Sequence, residues 1–270
     1  MRCFTFIITL GVLSMAILTC SASNVHFIRH GESTWNVAGK LQGQGTIGEE
    51  EAKEYQDIFS TKNPETKLRD SAVLTEKGKK QAQKLGENIK ATLSGKSIVL
   101  ISSDLLRCKG TTEIVQQILE SSETKVVVKY DARLREADHG ILSGMKSGEY
   151  KKIESYQKRE QLDAEGQFRT AMDPDNGENY ETVAIRAHEA VLEAIKEFPD
   201  QEIYVVTHGG PMKALYTYLT MNSAPFSDES NISSQIKNCA VMTVQGYDSK
   251  PSSEIKIVFK EPAKSLSTIF

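Results

Sequence analysis

The sequence predicts an α/β protein: a three-layer αβα sandwich with a mostly parallel central sheet. Two observations carry this. Short β-rich runs alternate with longer helical patterns, as in repeated strand–helix–strand units. Several short runs are continuously apolar, such as "IVLIS" at 98–102 and "IYVVT" at 203–207, which suits strands covered on both faces. The chain has 270 residues, 39% hydrophobic and 26% charged, enough for a single core of ordinary size.

Taken in order, strands are expected at 25–29, 98–102, 126–130, 203–207, 240–245 and 255–259. A helix is expected over 76–93, with Thr75 as N-cap and Ala82, Leu85 and Ile89 on one stripe. Another over 105–120 aligns Cys108, Thr112, Val115 and Leu119. Helices over 180–197 and 211–220 follow, the last opened by Pro211, whose missing N–H costs nothing in a first turn. Two segments interrupt the alternation. Residues 43–73 carry three glycines and an acidic cluster, and residues 157–178 are polar and end in "DPDNG". Both read as insertions over one end of the sheet, and the acidic cluster reads as a solvated helix face.

Residues 1–23 differ from the rest. Arg2 is their only charge, "FTFIITLGVLSMAIL" is apolar, and small residues follow in "TCSAS". This is the layout of a secretory signal peptide, with cleavage after Ala22 or Ser23. The apolar run falls short of the ~20 residues that a spanning helix needs. The expectation is one domain over 24–270, secreted or held in the secretory pathway or periplasm, with no stable membrane association after cleavage. A net charge of −3 makes no case for nucleic acid or an anionic membrane. Cys3 and Cys20 belong to the leader; Cys108 and Cys239 are expected as unpaired core thiols. No CxxC or HExxH spacing points to a metal, and Asn231 opens a glycosylation sequon.

Ligands of open α/β sheets gather at the carboxyl ends of the strands. The first strand ends at Arg29-His30-Gly31, the second leads through "SSDLLR" to Arg107, and the fourth ends at Thr207-His208-Gly209. The loop after the third strand holds Glu136. Each residue alone has a bland reading, as a core histidine or a surface ion pair. Together, two guanidiniums and two imidazoles suit a tetrahedral dianion, a phosphoryl group. A neutral imidazole attacks phosphorus, and a nearby carboxylic acid protonates the leaving alkoxide. The arginines offset the charge that a metal would otherwise offset, so no metal or other cofactor is expected.

Six blocks carry a resemblance: "RHGESTWN" (29–36), "LTEKGKKQAQKLG" (74–86), "ISSDLLRCKGTTEI" (101–114), "LREADHGILSG" (134–144), "GENYETVAIR" (177–186) and "VVTHGG" (205–210). In this order they resemble the histidine phosphatase superfamily, the phosphoglycerate mutase-like family. The resemblance implies that fold and a small phosphorylated substrate. It implies His30 as the phosphorylated nucleophile, Glu136 as proton donor, Arg29, Arg107 and His208 as phosphoryl ligands, and Asn36 and the Gly209 backbone as pocket lining. Asp138 is the rival acid. Gly110 replaces a glutamine usual in the family and is expected to loosen the start of that helix; His139 replaces an aromatic residue. Trp35 is expected in the core, and His26 and His188 as structural. Phosphatase action is expected over mutase action: Ala137 and Asp138 follow Glu136, where the mutases place Arg, and "HGGPM" follows the phosphatase pattern. A catalytically silent phospho-ligand-binding protein is the alternative of another class.

Overall fold

In the computed structural model the described residues are 23–43, 72–93, 97–120, 124–162, 177–199, 201–220, 234–247 and 255–260. The leader (1–22), Asn231 and the larger part of both insertions lie outside them. Among the described residues no helix is long and apolar enough to cross a membrane.

Six strands form one sheet: β1 (Ser23–Arg29), β2 (Ile98–Ser102), β3 (Val126–Tyr130), β4 (Glu202–Thr207), β5 (Val241–Tyr247) and β6 (Lys256–Lys260). Their order is β3-β2-β4-β1-β5-β6. The pairings β3–β2, β2–β4 and β4–β1 are parallel, while β5 runs antiparallel to both of its neighbours. The helices are α1 (Thr34–Ala38), α2 (Glu76–Thr92), α3 (Leu106–Glu120), α4 (Ser147–Tyr150), α5 (Glu154–Leu162), α6 (Tyr180–Glu197) and α7 (Gly209–Leu219).

The three layers follow from the period of two in each strand. Ile28, Leu100, Tyr204 and Val206 point to one face, against Ala82, Leu85 and Ile89 of α2 and Val115 and Leu119 of α3. Val25, Phe27, Val99, Val205 and Ile203 point to the other, against Ala187 and Val191 of α6 and Met212 and Leu215 of α7. Thr75 caps α2 by accepting from Gly78 N–H at 3.0 Å, as expected. Helix α3 runs through Gly110, where a Cβ would meet Leu74 at 3.2 Å, so this glycine lets Leu74 pack close. Helix α7 starts at Gly209, two residues before the expected start; first-turn N–H groups have no intrahelical acceptor, which is why Pro211 fits inside the turn. The polar stretch read as an insertion from 157 is helical at its start, continuing α5 to Leu162.

Candidate active site

Strands β1 and β4 lie side by side with Arg29 opposite Thr207. The next residue on each is a histidine. The N–H of His30 donates to the Thr207 carbonyl at 3.0 Å, and the rings of His30 and His208 meet edge to face, centroids 5.3 Å apart. Both are buried. The chain turns away at Gly31, where a Cβ would come 2.5 Å from the Gly78 carbonyl oxygen. Gly78 in turn has no room for a Cβ, which would fall 2.0 Å from the Glu32 carbonyl oxygen. Two bare backbones therefore touch, fixing the loop after β1 on the start of α2.

Nδ1 of His30 lies 2.7 Å from the Gly31 carbonyl. A carbonyl only accepts, so Nδ1 carries the proton and Nε2 of the neutral ring keeps its lone pair. Burial, then the positive charges of Arg107 and Arg29, hold the His30 pKa well below its ordinary value. The His30 carbonyl is held by Asn238 Nδ2 at 3.0 Å and by the Cys239 N–H at 3.3 Å. His208 Nε2 sits 2.8 Å from Ser103 Oγ and 3.3 Å from Cys108 Sγ. Burial and then Arg107 lower its pKa as well, so both rings are neutral.

Arg107, in the first turn of α3, is 1% exposed. Arg29 is anchored through Nη1 to the Ile236 carbonyl at 2.8 Å. Its Nε is buried without a hydrogen-bond acceptor among the described residues, as are Nε and Nη2 of Arg107, whose side chain makes other contacts. Burial weakens the hold of Arg29 on its proton, and the charge of Glu136 opposes that loss.

Glu136 is 8% exposed. Its Oε1 accepts from the Ala137 N–H at 2.9 Å and its Oε2 from the Gly210 N–H at 3.2 Å, at the start of α7. A helix N-terminus favours negative charge there. The rival, Asp138, accepts from the Gly140 N–H at 2.9 Å, a turn-forming role, and does not line the cleft.

An open cleft of about 350 Å³ lies over these groups, lined by Arg29, Asn36, Glu136, Gly209, Lys213 and Tyr180 among others. His30, Arg107 and His208 lie deeper, each no more than 2% exposed. Asn36 Oδ1 accepts from the Ser33 N–H at 3.0 Å and from Asn238 Nδ2 at 3.2 Å, which fixes the direction of its amide. Gly209 packs beside Arg29. The fold thus brings every predicted site residue to one place.

Other groups in the same place were not singled out in the sequence: Ser103, Asn238, Gly210, Glu178 and Arg186. Ser103, Gly210, Glu178 and Arg186 fall within the blocks that carry the resemblance, at 101–114, 205–210 and 177–186, while Asn238 falls in none. Trp35 is buried beside Ala72. His26 bonds Thr243 Oγ1 at 2.9 Å, and His188 bonds the Tyr247 hydroxyl at 2.8 Å. His139 lines the cleft. Cys108 and Cys239 are buried thiols, neither in a disulfide.

The chain is similar to a metal-independent phosphoserine phosphatase of Arabidopsis thaliana, 29% identical over 75% of this chain and 71% of that protein. It is similar to a probable phosphoglycerate mutase, GpmB, of Salmonella paratyphi C, 25% identical over 84% of this chain and 86% of that one. Among solved structures it shares its fold with a phosphoserine phosphatase mutant of Entamoeba histolytica bound to phosphoserine. That match has a TM-score of 0.60 and 18% identity, over 89% of this chain and 98% of that one. The family model of the histidine phosphatase superfamily (branch 1) matches residues 60–255, which include Arg107, Glu136 and His208. Arg29 and His30 precede that match, and the β1–β4 register delivers them to it. With the matched sequence, the shared fold and the convergent histidines in agreement, the chain belongs to the histidine phosphatase superfamily, branch 1.

Proposed function

We propose that this protein is a phosphomonoesterase acting through a phosphohistidine on His30, without a metal. The observation that carries this is the neutral His30 ring, its Nδ1 bonded to the Gly31 carbonyl, close enough to Arg107 and Arg29 for both charges to lower its pKa. In the first half-reaction Nε2 attacks phosphorus and the ester P–O bond breaks. Glu136, in its acid form, gives its proton to the leaving alkoxide. In the second, the Glu136 carboxylate takes a proton from water, the hydroxide attacks the phosphoryl group, and the P–N bond breaks to restore neutral His30 and release phosphate. Arg29, Arg107 and His208 hold the equatorial oxygens, and Asn36 and Gly209 line the entrance.

Hydrolysis is favoured over mutase transfer by Ala137 after Glu136 and by "HGGPM" after β4. We also infer a secreted or organelle- or periplasm-held protein that loses its leader. Cleavage after Ala22 leaves β1 whole, because Ser23 pairs with Tyr247, and a native intact mass beginning at Ser23 or Asn24 would support this.

The test of the reaction is rapid quenching with labelled phosphoester. Base-stable, acid-labile label on wild type, and its loss in His30→Ala, are expected. Phosphate binding without turnover would instead support a silent binding protein. Interconversion of 3- and 2-phosphoglycerate faster than phosphate release would support a mutase.

A further inference from the structure

Arg186 stands on α6 and never reaches the cleft wall. Its Nη1 donates to the carbonyls of Arg133 at 2.6 Å and Arg135 at 2.8 Å. Its Nη2 donates to the carbonyl of Glu136 itself at 3.0 Å. The remaining donors go to Glu178, Nε to Oε1 and Nη2 to Oε2, each at 2.8 Å. Those contacts use all five guanidinium N–H groups, so no donor is left for a substrate. Glu178 completes the grip. Its Oε2 accepts from the Asp138 N–H at 2.9 Å, and its own N–H donates to the Asp138 carbonyl at 2.8 Å.

The backbone from 133 to 138 is therefore gripped on both sides of Glu136. This stretch has little regular structure of its own: a single 3-10 turn ends at Leu134, and the next begins at Gly140. Among the described residues the Glu136 side chain itself is held by the Ala137 and Gly210 N–H groups, one bond each, so its place depends on where the backbone is held. The pair is mostly buried, at 16% and 21% exposure, so the bonds face little competition from water.

We infer that Arg186, locked by Glu178, is a positioning residue that sets where the Glu136 carboxyl stands relative to the leaving oxygen. This rests on the reading of Glu136 as proton donor. It is a task for Arg alone: the planar fork reaches three carbonyls and a carboxylate at once, whereas Lys offers a compact cation with three donors. A displacement of about 1 Å in a catalytic group costs on the order of 10²-fold in rate.

The test uses two substrates that differ in their need for a proton. A β-glycerophosphate alkoxide must be protonated as it leaves; 4-nitrophenolate leaves without help. The kcat/KM of each reports the step in which the alcohol departs. Arg186→Lys and Glu178→Gln are expected to lower kcat/KM on β-glycerophosphate by ~10- to 100-fold, and on 4-nitrophenyl phosphate by less than ~3-fold. Adding either change to Glu136→Gln should cost little more, since the positioned group is already gone. An equal fall on both substrates would show a merely structural role, and no fall on either would remove the role; each overturns the inference. Glu136→Gln alone separates the two levels. If it discriminates between the substrates and the Arg186 and Glu178 variants do not, only the positioning role fails. If it does not discriminate, the reading of Glu136 itself fails.

Discussion

Gly210 and Glu136 are made for each other: the Gly210 N–H donates to Oε2 at 3.2 Å, and a Cβ on Gly210 would lie 2.0 Å from Oε1. The only residue that both donates and makes room there is glycine. Gly210→Ala should therefore push the carboxyl aside while leaving α7 intact, since alanine is a better helix former. Activity on alkyl phosphates is expected to fall on the order of 10²-fold with little change in melting temperature. Steady-state kinetics and calorimetry on the same preparation check this; undiminished kcat would show that the carboxyl position does not matter.

Stability should fall as the solution is acidified. Burial depresses His26 from 6.5 to about 4, with Glu202 opposing, and burial also holds His30 and His208 well below their ordinary value. In the unfolded chain these rings take up protons near their ordinary value, while in the folded chain they stay neutral. The unfolded state then binds more protons, so stability is full above about pH 6.5 and is lost as pH falls toward 4. For His26 alone the loss is on the order of 2 to 3 kcal/mol. Urea unfolding at pH 7 and pH 4.5 reads this, and His26→Gln should flatten the slope.

The touching backbones at Gly31 and Gly78 predict two costly substitutions. In each, an added Cβ meets a carbonyl oxygen of the other segment at 2.5 Å or less, and backbone cannot step aside as a side-chain tip can. Gly78→Ala lies away from the reacting atoms yet is expected to destabilise by about 1 to 3 kcal/mol. A shifted denaturation midpoint with unchanged slope would show it.

Lys213 offers a handle on specificity. It lies one turn beyond Gly210 on α7 and lines the cleft, and among the described residues its ammonium makes no ion pair or hydrogen bond. Lys213→Gln is expected to raise KM for 3-phosphoglycerate by about 3-fold, the scale of a solvent-exposed charge pair. KM for glycerol 3-phosphate, which lacks the carboxylate, should stay the same. Equal effects on both would assign Lys213 no part in reading the leaving group.

A chelator should leave the rate unchanged, because the two arginines already offset the phosphoryl charge. A loss restored by Mg²⁺ or Zn²⁺ would contradict that.

Much of the fold was legible in the sequence because its signals are local. The β-rich runs of β2 and β3 match the observed strands end to end, and α6 spans its expected residues. Arg29 and the two histidines announced themselves by standing at strand ends near glycine, and Arg107 by following β2 within a few residues. What escaped notice acts through the backbone. Arg186 works on the carbonyls of residues more than 50 positions away, and Asn238 holds a carbonyl 208 positions away. Neither the partner nor the distance leaves any trace in local periodicity or composition. The Asp138 side chain, by contrast, looked catalytic by proximity in sequence, and only the turn at Gly140 shows where it is spent.

The delivery of His30 and His208 by adjacent strands has a consequence for how this protein fails. Five paired residues, from Val25–Ile203 to Arg29–Thr207, set the β1–β4 register, and a slip by one residue would turn both imidazoles to opposite faces. There is no smaller piece of the molecule in which the two rings meet, because β4 follows β1 across most of the chain and its far side rests on β2. Turnover is thus a gauge of the whole sheet: along a denaturant titration, catalysis and far-ultraviolet dichroism should disappear on one curve.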